Sequence, residues 1–312
     1  MKALLTIIIA ASLTIGCALP EEEIATTDTS SGGTTSGGGD TVDSNESAGL
    51  SGIASRMSAG YQNTCVIKAD NSLVCWGDGG DRTAGPNGQT SIISVTSSFD
   101  HTCAIKADDT VQCWGENLFG QSIVPSGLGS VKSITVGNKY TCAIKADDSI
   151  QCWGESSYTS VPSGICKVKS IAGGLYHICA IKDDDTAQCW GENPSASIPS
   201  GIGKVKSVSA GDSTCVIKAD DTVQCWGFPD FTSVPSGLGS VKTVATGGIG
   251  SCAIKADDTV QCWGYLSVPS GLGNVKDITY GYDHVCAKQS DDTVHCWGES
   301  EFGALNVPAE LQ

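Results

Sequence analysis

One stretch, repeated seven times, constrains this chain more than any other feature. His101–Gly115 reads HTCAIKADDTVQCWG, and near-copies occupy 63–77, 140–154, 177–191, 213–227, 250–264 and 284–298. Each copy carries two Cys with nine residues between them, the first at 65, 103, 142, 179, 215, 252 and 286, so the period is 34–39 residues. Units of that length bury a core only by stacking on their neighbours, so the repeat dictates the architecture.

Within a copy, CAIKA and TVQCW flank Asp108-Asp109. Short β-branched runs split by turn formers predict a β-hairpin. Centring the turn on Asp108 sets Cys103 opposite Cys113 and Ile105 opposite Val111, all on one face; Thr102, Ala104, Gln112 and Trp114 share the other. A Trp repeated seven times is too large to leave in water, so both faces should be buried between neighbouring sheets. Asp tolerates a left-handed backbone, so Asp-Asp can make the turn.

The Cys pair has two readings. Directly opposed residues bring Cβ atoms near the roughly 3.5–4.5 Å that a disulfide needs. Metal binding would want clustered ligands such as C-x2-C, a spacing the chain lacks. The disulfide is the preferred reading, as Cys65–Cys75, Cys103–Cys113, Cys142–Cys152, Cys179–Cys189, Cys215–Cys225, Cys252–Cys262 and Cys286–Cys296. Each would close a short loop and contribute at most about 2.8 kcal/mol through chain entropy. Cys166, outside the hairpins, is expected to have no partner.

SGLGSVKSITVG precedes the third hairpin, and a Val-Pro or Ile-Pro piece follows six of the seven. Each full unit therefore reads as three strands plus a fourth on the outer edge, where Pro125, Pro162, Pro199, Pro235, Pro269 and Pro308 would need no ladder donor. Seven such sheets without predicted helices give an all-β, seven-bladed β-propeller with one cross-strand disulfide per blade, spanning 50–312. The first unit begins with its own first strand near Ile53–Ala59, and the last runs to Pro308. Closure should rest on blade 7 packing against blade 1 without a shared sheet, and that joint is expected to be the weakest.

The start of the chain has another character. Lys2 precedes the 13 apolar residues ALLTIIIAASLTI, too short for a bilayer and suited to a signal peptide over 1–16. Leu13-Thr14-Ile15-Gly16-Cys17 resembles the lipobox of bacterial lipoproteins, which implies lipidation of Cys17, although Thr14 stands where Leu is commonest. Ordinary cleavage near Ala18 is the alternative. Residues 18–49 are Gly/Ser/Thr-rich with few large apolar side chains, and read as a disordered tether spanning roughly 30 Å. With 16 Cys and a net charge of −16, the expected setting is an exported lipoprotein of a bacterial outer membrane or cell surface. It would touch the membrane only through its lipid, bind no nucleic acid and be a monomer.

The copies C-A-I-K-x-D-D-T-V-x-C-W-G resemble regulator-of-chromosome-condensation repeats, in particular the Cys-bearing versions of exported bacterial proteins. The resemblance covers about residues 50–312 and departs in the turn, where the family usually has Asp-Gly. It implies a seven-bladed propeller that binds proteins. The eukaryotic founder's nucleotide-exchange role does not carry over, because no residue here matches a catalytic position of that protein.

In such a ring, the first-to-second-strand connections and the connections after the third strand share one face. Those loops hold Tyr61, Phe99, His101, Phe119, Tyr140, Tyr158, Tyr176, His177, Phe228, Phe231, Tyr265, Tyr282, His284 and Phe302. They are also where the copies differ most, as a recognition surface would. Blade-capping is the plainer reading of these rings, and loop hydrogen bonding the plainer reading of the three His. The opposite face carries the Asp pairs, which read as turn formers; no single turn offers the six oxygens Ca²⁺ wants. No cofactor, metal site or catalytic residue is expected. The preferred function is a protein-binding or inhibitor-like module without catalysis; the alternatives are an exported lyase or hydrolase and a glycan-binding surface protein.

Overall fold

The computed structural model describes residues 56–77, 85, 90–192, 194–299 and 302–312. The signal peptide, Cys17 and the tether lie outside these residues, as does the start of the expected first strand at Ile53.

The register of the Cys pair organises every blade. Cys103 lies directly opposite Cys113, Ala104 opposite Gln112, Ile105 opposite Val111 and Thr102 opposite Trp114. The same pairing recurs in the other six hairpins. All seven disulfides form, with Cα–Cα distances such as 4.1 Å for Cys103–Cys113 and 4.0 Å for Cys142–Cys152. Asp109 takes the left-handed backbone at φ 61°. The Asp108 carboxylate accepts hydrogen bonds from the Thr110 N–H and hydroxyl, which locks the turn.

An inner strand precedes each hairpin, giving seven antiparallel three-stranded sheets. Blade 1 comprises Met57–Ala59, Asn63–Ile67 and Leu73–Gly77; blade 2, Ile92–Ser97, His101–Lys106 and Val111–Gly115. Blade 3 comprises Val131–Val136, Tyr140–Lys145 and Ile150–Gly154; blade 4, Val168–Gly173, His177–Lys182 and Ala187–Gly191. Blade 5 comprises Val205–Ala210, Thr214–Lys218 and Val223–Trp226; blade 6, Val241–Thr246, Gly250–Lys255 and Val260–Gly264. Blade 7 comprises Val275–Tyr280, His284–Gln289 and Val294–Gly298. Each inner strand lies beside the inner strand of the next blade, and blade 7 neighbours blade 1.

Burial of both hairpin faces follows from this ring. The disulfide face of one blade packs on the Trp face of the next. Cys103 and Ile105 of blade 2 meet Val131, Ile134, Ala143 and Trp153 of blade 3. Equivalent clusters fill the other joints, including Cys286 and Val294 of blade 7 against Met57, Val66 and Trp76 of blade 1.

The expected fourth strand does not form. The Val-Pro pieces have no ladder partner among the described residues, and a turn follows at once, as Leu128 N–H bonds Pro125 O. Pro lacks a donor, so the segment instead lays Val124, Val161, Ile198, Val234 or Val307 onto a joint cluster. A single helical turn, Ser156–Thr159, and 3₁₀ turns such as Pro229–Phe231 occupy the same connections, where no helix was expected. A second correction concerns Cys166, which is disulfide-bonded rather than free. It is exposed in the loop before Val168, outside the hairpins that hold the other seven pairs.

Closure needs no shared sheet among the described residues: blades 7 and 1 are separate sheets. Their joint carries the same bonds as others. The Trp76 indole donates to Ala304 O at 2.7 Å and the Ala59 N–H to Thr279 Oγ1 at 3.0 Å. The 6–7 joint is the deficient one. Indoles of Trp153, Trp190, Trp226 and Trp263 each donate to a carbonyl in the preceding blade's outer loop. Trp297 Nε1 is buried without a partner, as are Tyr280 Oη and Thr246 Oγ1 at the same joint. The loop after Trp263 is the shortest of the set, running only Gly-Tyr-Leu-Ser-Val before Pro269, and it does not reach the indole.

Trp226→Phe, which removes one of the two donors to the Ser195 carbonyl, should therefore cost about 0.5–1.5 kcal/mol more in urea unfolding than Trp297→Phe, which removes no hydrogen bond. Hydrogen exchange should be faster at the 6–7 joint than at 7–1; the reverse order would disprove this account.

Candidate functional site

The site is built by the loops joining inner and middle strands. In six blades the first loop residue is glycine: Gly60, Gly137, Gly174, Gly211, Gly247 and Gly281. A Cβ on Gly247 would overlap the Gly281 carbonyl oxygen, and one on Gly281 the Gly60 carbonyl oxygen. The missing side chains let backbones meet around the axis. Tyr282 N–H bonds Gly60 O at 3.1 Å, Gly248 N–H bonds Gly281 O at 3.2 Å, and Asp212 N–H bonds Gly247 O at 3.1 Å. Leu175 N–H bonds Gly211 O and Tyr61 N–H bonds Ser98 O in the same sense. Gly281→Ala should destabilise the ring by about 1–3 kcal/mol without changing the hairpins; an unchanged urea midpoint would show that the joint relaxes freely.

These loops surround a small, open central mouth lined by Tyr61, Phe99, Leu175, Asp212, Tyr280 and Tyr282, among others. Tyr61 stacks on Phe99 with centroids 4.0 Å apart, and Tyr282 meets both edge-on at 5.1 and 5.5 Å. The three rings come from blades 1, 2 and 7 and form one aromatic platform across the closure. Burial pushes the Asp212 carboxyl up to about 6. Burial, then the nearby Asp212 carboxylate, raises the Tyr282 hydroxyl.

The rest of the same face, chiefly its outer loops together with Tyr176 of an inner loop, carries most of the remaining rings. Phe119, Tyr176, Phe228, Tyr265 and Phe302 are exposed, Tyr265 at 71%, alongside Leu118 at 80% and Ile123. Phe231 meets Tyr265 edge-on at 5.5 Å. Every exposed large apolar side chain among the described residues therefore lies in a loop of this face.

Charge is segregated too. Inner loops hold Asp100, Asp212 and Asp283; outer loops hold Glu116, Glu155, Glu192, Asp230 and Glu299. Lys139 is the one cation in these loops among the described residues; it pairs with Glu155 at 3.4 Å and lies over the Phe119 ring. The other described Lys and Arg side chains lie towards the hairpin turns. There a bulge at the second residue of the inner strand swings Lys132 out to Asp148, and Lys169, Lys206, Lys242 and Lys276 repeat the pairing in blades 4–7. Lysine contacts hold Asp292 down at about 2. The Asp ring is thus tied to Thr, Ser and Lys of its own blades, and no described cluster of His, Cys, Asp and Glu has metal-binding geometry.

Five residues expected at a binding surface are withdrawn by burial: His101, His177, His284, Tyr140 and Tyr158. The Tyr140 hydroxyl lies against Gly174 O and His177 O, and Tyr158 donates to Glu192 at 3.0 Å. Each His joins two blades, with Nε2 2.7 Å from Thr141 Oγ1 for His101, 2.6 Å from Thr214 Oγ1 for His177 and 2.9 Å from Thr64 Oγ1 for His284. Thr141 and Thr214 donate onward to Gln121 O and Ser195 O, so these imidazoles carry the proton on Nε2. Burial pushes His101 down to about 3 and His177 to about 4. A folded pKa below the unfolded one gives stability that is complete above about pH 6.5 and lost as pH falls towards the folded value. His101→Asn, matching Asn63 of blade 1, should therefore lose less stability than the parent between pH 6.5 and 4 in urea titrations. Equal losses would refute the assignment.

Sequence reasoning did not single out the glycines, Leu175 or Asp212. The signal was present: a Gly stands five residues before the first Cys in five copies, and Asp212 lies in the one copy shortened there.

With this geometry established, the comparisons are specific. The regulator of chromosome condensation (RCC1) repeat matches residues 55–82, 92–121, 168–195 and 275–304. RCC1 repeats are thus found at four positions of the chain, in blades 1, 2, 4 and 7. A search of curated protein sequences gives no match. Among solved structures, the CRINKLY ectodomain of the Arabidopsis thaliana receptor kinase ACR4 is 25% identical with a TM-score of 0.70, covering 84% of this chain and 100% of that one. The ectodomain of the Physcomitrella patens receptor kinase CR4 is 21% identical at TM-score 0.69, covering 78% and 73%. Prp20p of Saccharomyces cerevisiae, a structure reported with its binding properties to Gsp1p and histones, is 14% identical at TM-score 0.59, covering 69% and 73%. These likenesses support the RCC1-type propeller as the fold.

Proposed function

We propose that this RCC1-repeat propeller is an exported binding module that captures a protein through its loop face and performs no chemistry. The observation that carries the reading is the gathering of all described exposed large apolar side chains on that face. Scattered surface apolars need no explanation, whereas a rimmed aromatic patch marks an interaction site. The opposite face offers turns already tied by their own Lys, Thr and Ser. Seven disulfides suit an oxidising compartment, and no described helix is long and apolar enough to cross a membrane. In this proposal the module is held at a bacterial surface, and residues 18–49 give it reach. The ACR4 and CR4 neighbours are ectodomains of receptor kinases, and an exposed setting of that kind fits the same picture.

The test is affinity capture with the full chain against exported proteins, compared with a Phe228→Ser/Tyr265→Ser variant. A protein retained by the parent and lost by the variant is the expected result. Retention of a glycan, turnover of a candidate substrate, or capture indifferent to the rim substitutions would overturn it.

A further inference from the structure

The loop face has a chemical bias as well as a shape, and the bias selects a partner. Resting on the protein-binding reading above, we infer that the central mouth receives a lysine or arginine side chain projected from a basic patch of the partner. Three aromatic rings from blades 7, 1 and 2 wall one side of the mouth. Aromatic faces carry negative potential and attract cations, arginine above all. Asp212 lines the same mouth, and Asp212 and Asp283 both act electrostatically on the Tyr282 ring. A carboxylate beside an aromatic platform suits a guanidinium, which stacks with its plane and hydrogen-bonds with its edge.

The surroundings point the same way. The outer loops encircling the mouth add Glu116, Glu155, Glu192, Asp230 and Glu299, while Lys139 is turned aside onto Phe119 and Glu155. An approaching basic patch is attracted over the whole face, and an acidic one is repelled before contact. A neutral apolar plug would suit the rings but bring no opposite charge to the carboxylates it covers. A cationic tip on an apolar stem satisfies both, with its methylenes against the rings and its head at Asp212. The backbone ring of hydrogen bonds around the mouth holds it open in one shape, so the side chain enters a preorganised seat.

The experiment selects a displayed library of random twelve-residue peptides on the full chain at low salt. Recovered sequences should be enriched in Arg and Lys over the input. The affinity of the best basic peptide should fall about tenfold on Asp212→Asn, a near-isosteric change, and fall again on raising salt from about 0.05 to 0.5 M. Asp283→Asn is a second, independent probe, and thermal melting checks that each variant folds. Recovery of neutral or acidic peptides, of none, or of basic peptides indifferent to both substitutions overturns the inference. If recovered peptides are lost on Phe228→Ser/Tyr265→Ser but ignore Asp212→Asn and Asp283→Asn, the loop-face reading stands and the cation seat falls. If they ignore all of these substitutions, both fall.

Discussion

The structure depends on one contact repeated around a ring: the disulfide face of a hairpin against the tryptophan face of the next. A three-stranded sheet this small has two apolar faces and no core of its own. Each face is dry only because a neighbour covers it, so no blade is stable without the blades beside it. The disulfide serves this contact directly. It ties the middle strand to the outer one at the centre of the hairpin, so the surface offered to the next Trp is held in one shape. Buried Cys103, Cys142 and their counterparts are fully covered, which places the cross-links inside the joints.

Towards the axis a different constraint takes over. Inner strands converge, and side chains at their ends would collide. Glycine resolves the conflict in six blades, and the freed backbone forms the ring of hydrogen bonds that shapes the mouth. The variable loop residues are then displayed from a rigid rim. The division of labour is visible in charge. Lysines on the turn side neutralise the turn aspartates, whereas the loop side keeps its acids with little lysine to balance them. Among the described residues the net negative charge is therefore expressed mainly on the face that carries the rings.

The amino-acid pattern alone determined the seven hairpins, their Cys–Cys register and the buried Trp. All of these are local: a hairpin's register follows from its turn and from alternation along two short strands. The same reasoning placed the aromatic loops on one face, because strand direction alternates. It overreached with the fourth strand, where Val-Pro signalled an edge. What that segment lacked was a partner for its ladder, and its Val found more to gain against the joint. Cys166 escaped for a related reason, since no hairpin defines its surroundings.

Only the tertiary structure decided which rings are surface and which are mortar. Tyr140 and Tyr265 both fall on the loop face in the sequence pattern, yet one is sealed between blades and the other is among the most exposed large apolar side chains described. The difference lies in what the neighbouring blade supplies, which sequence spacing does not encode. The Tyr61–Phe99–Tyr282 platform is likewise invisible along the chain, because its members stand at opposite ends of it and meet only when the ring closes. Asp212 is raised by burial in a mouth that neighbouring blades build together. A repeat fixes its own hairpin by short-range geometry, whereas the mouth exists only where seven hairpins meet.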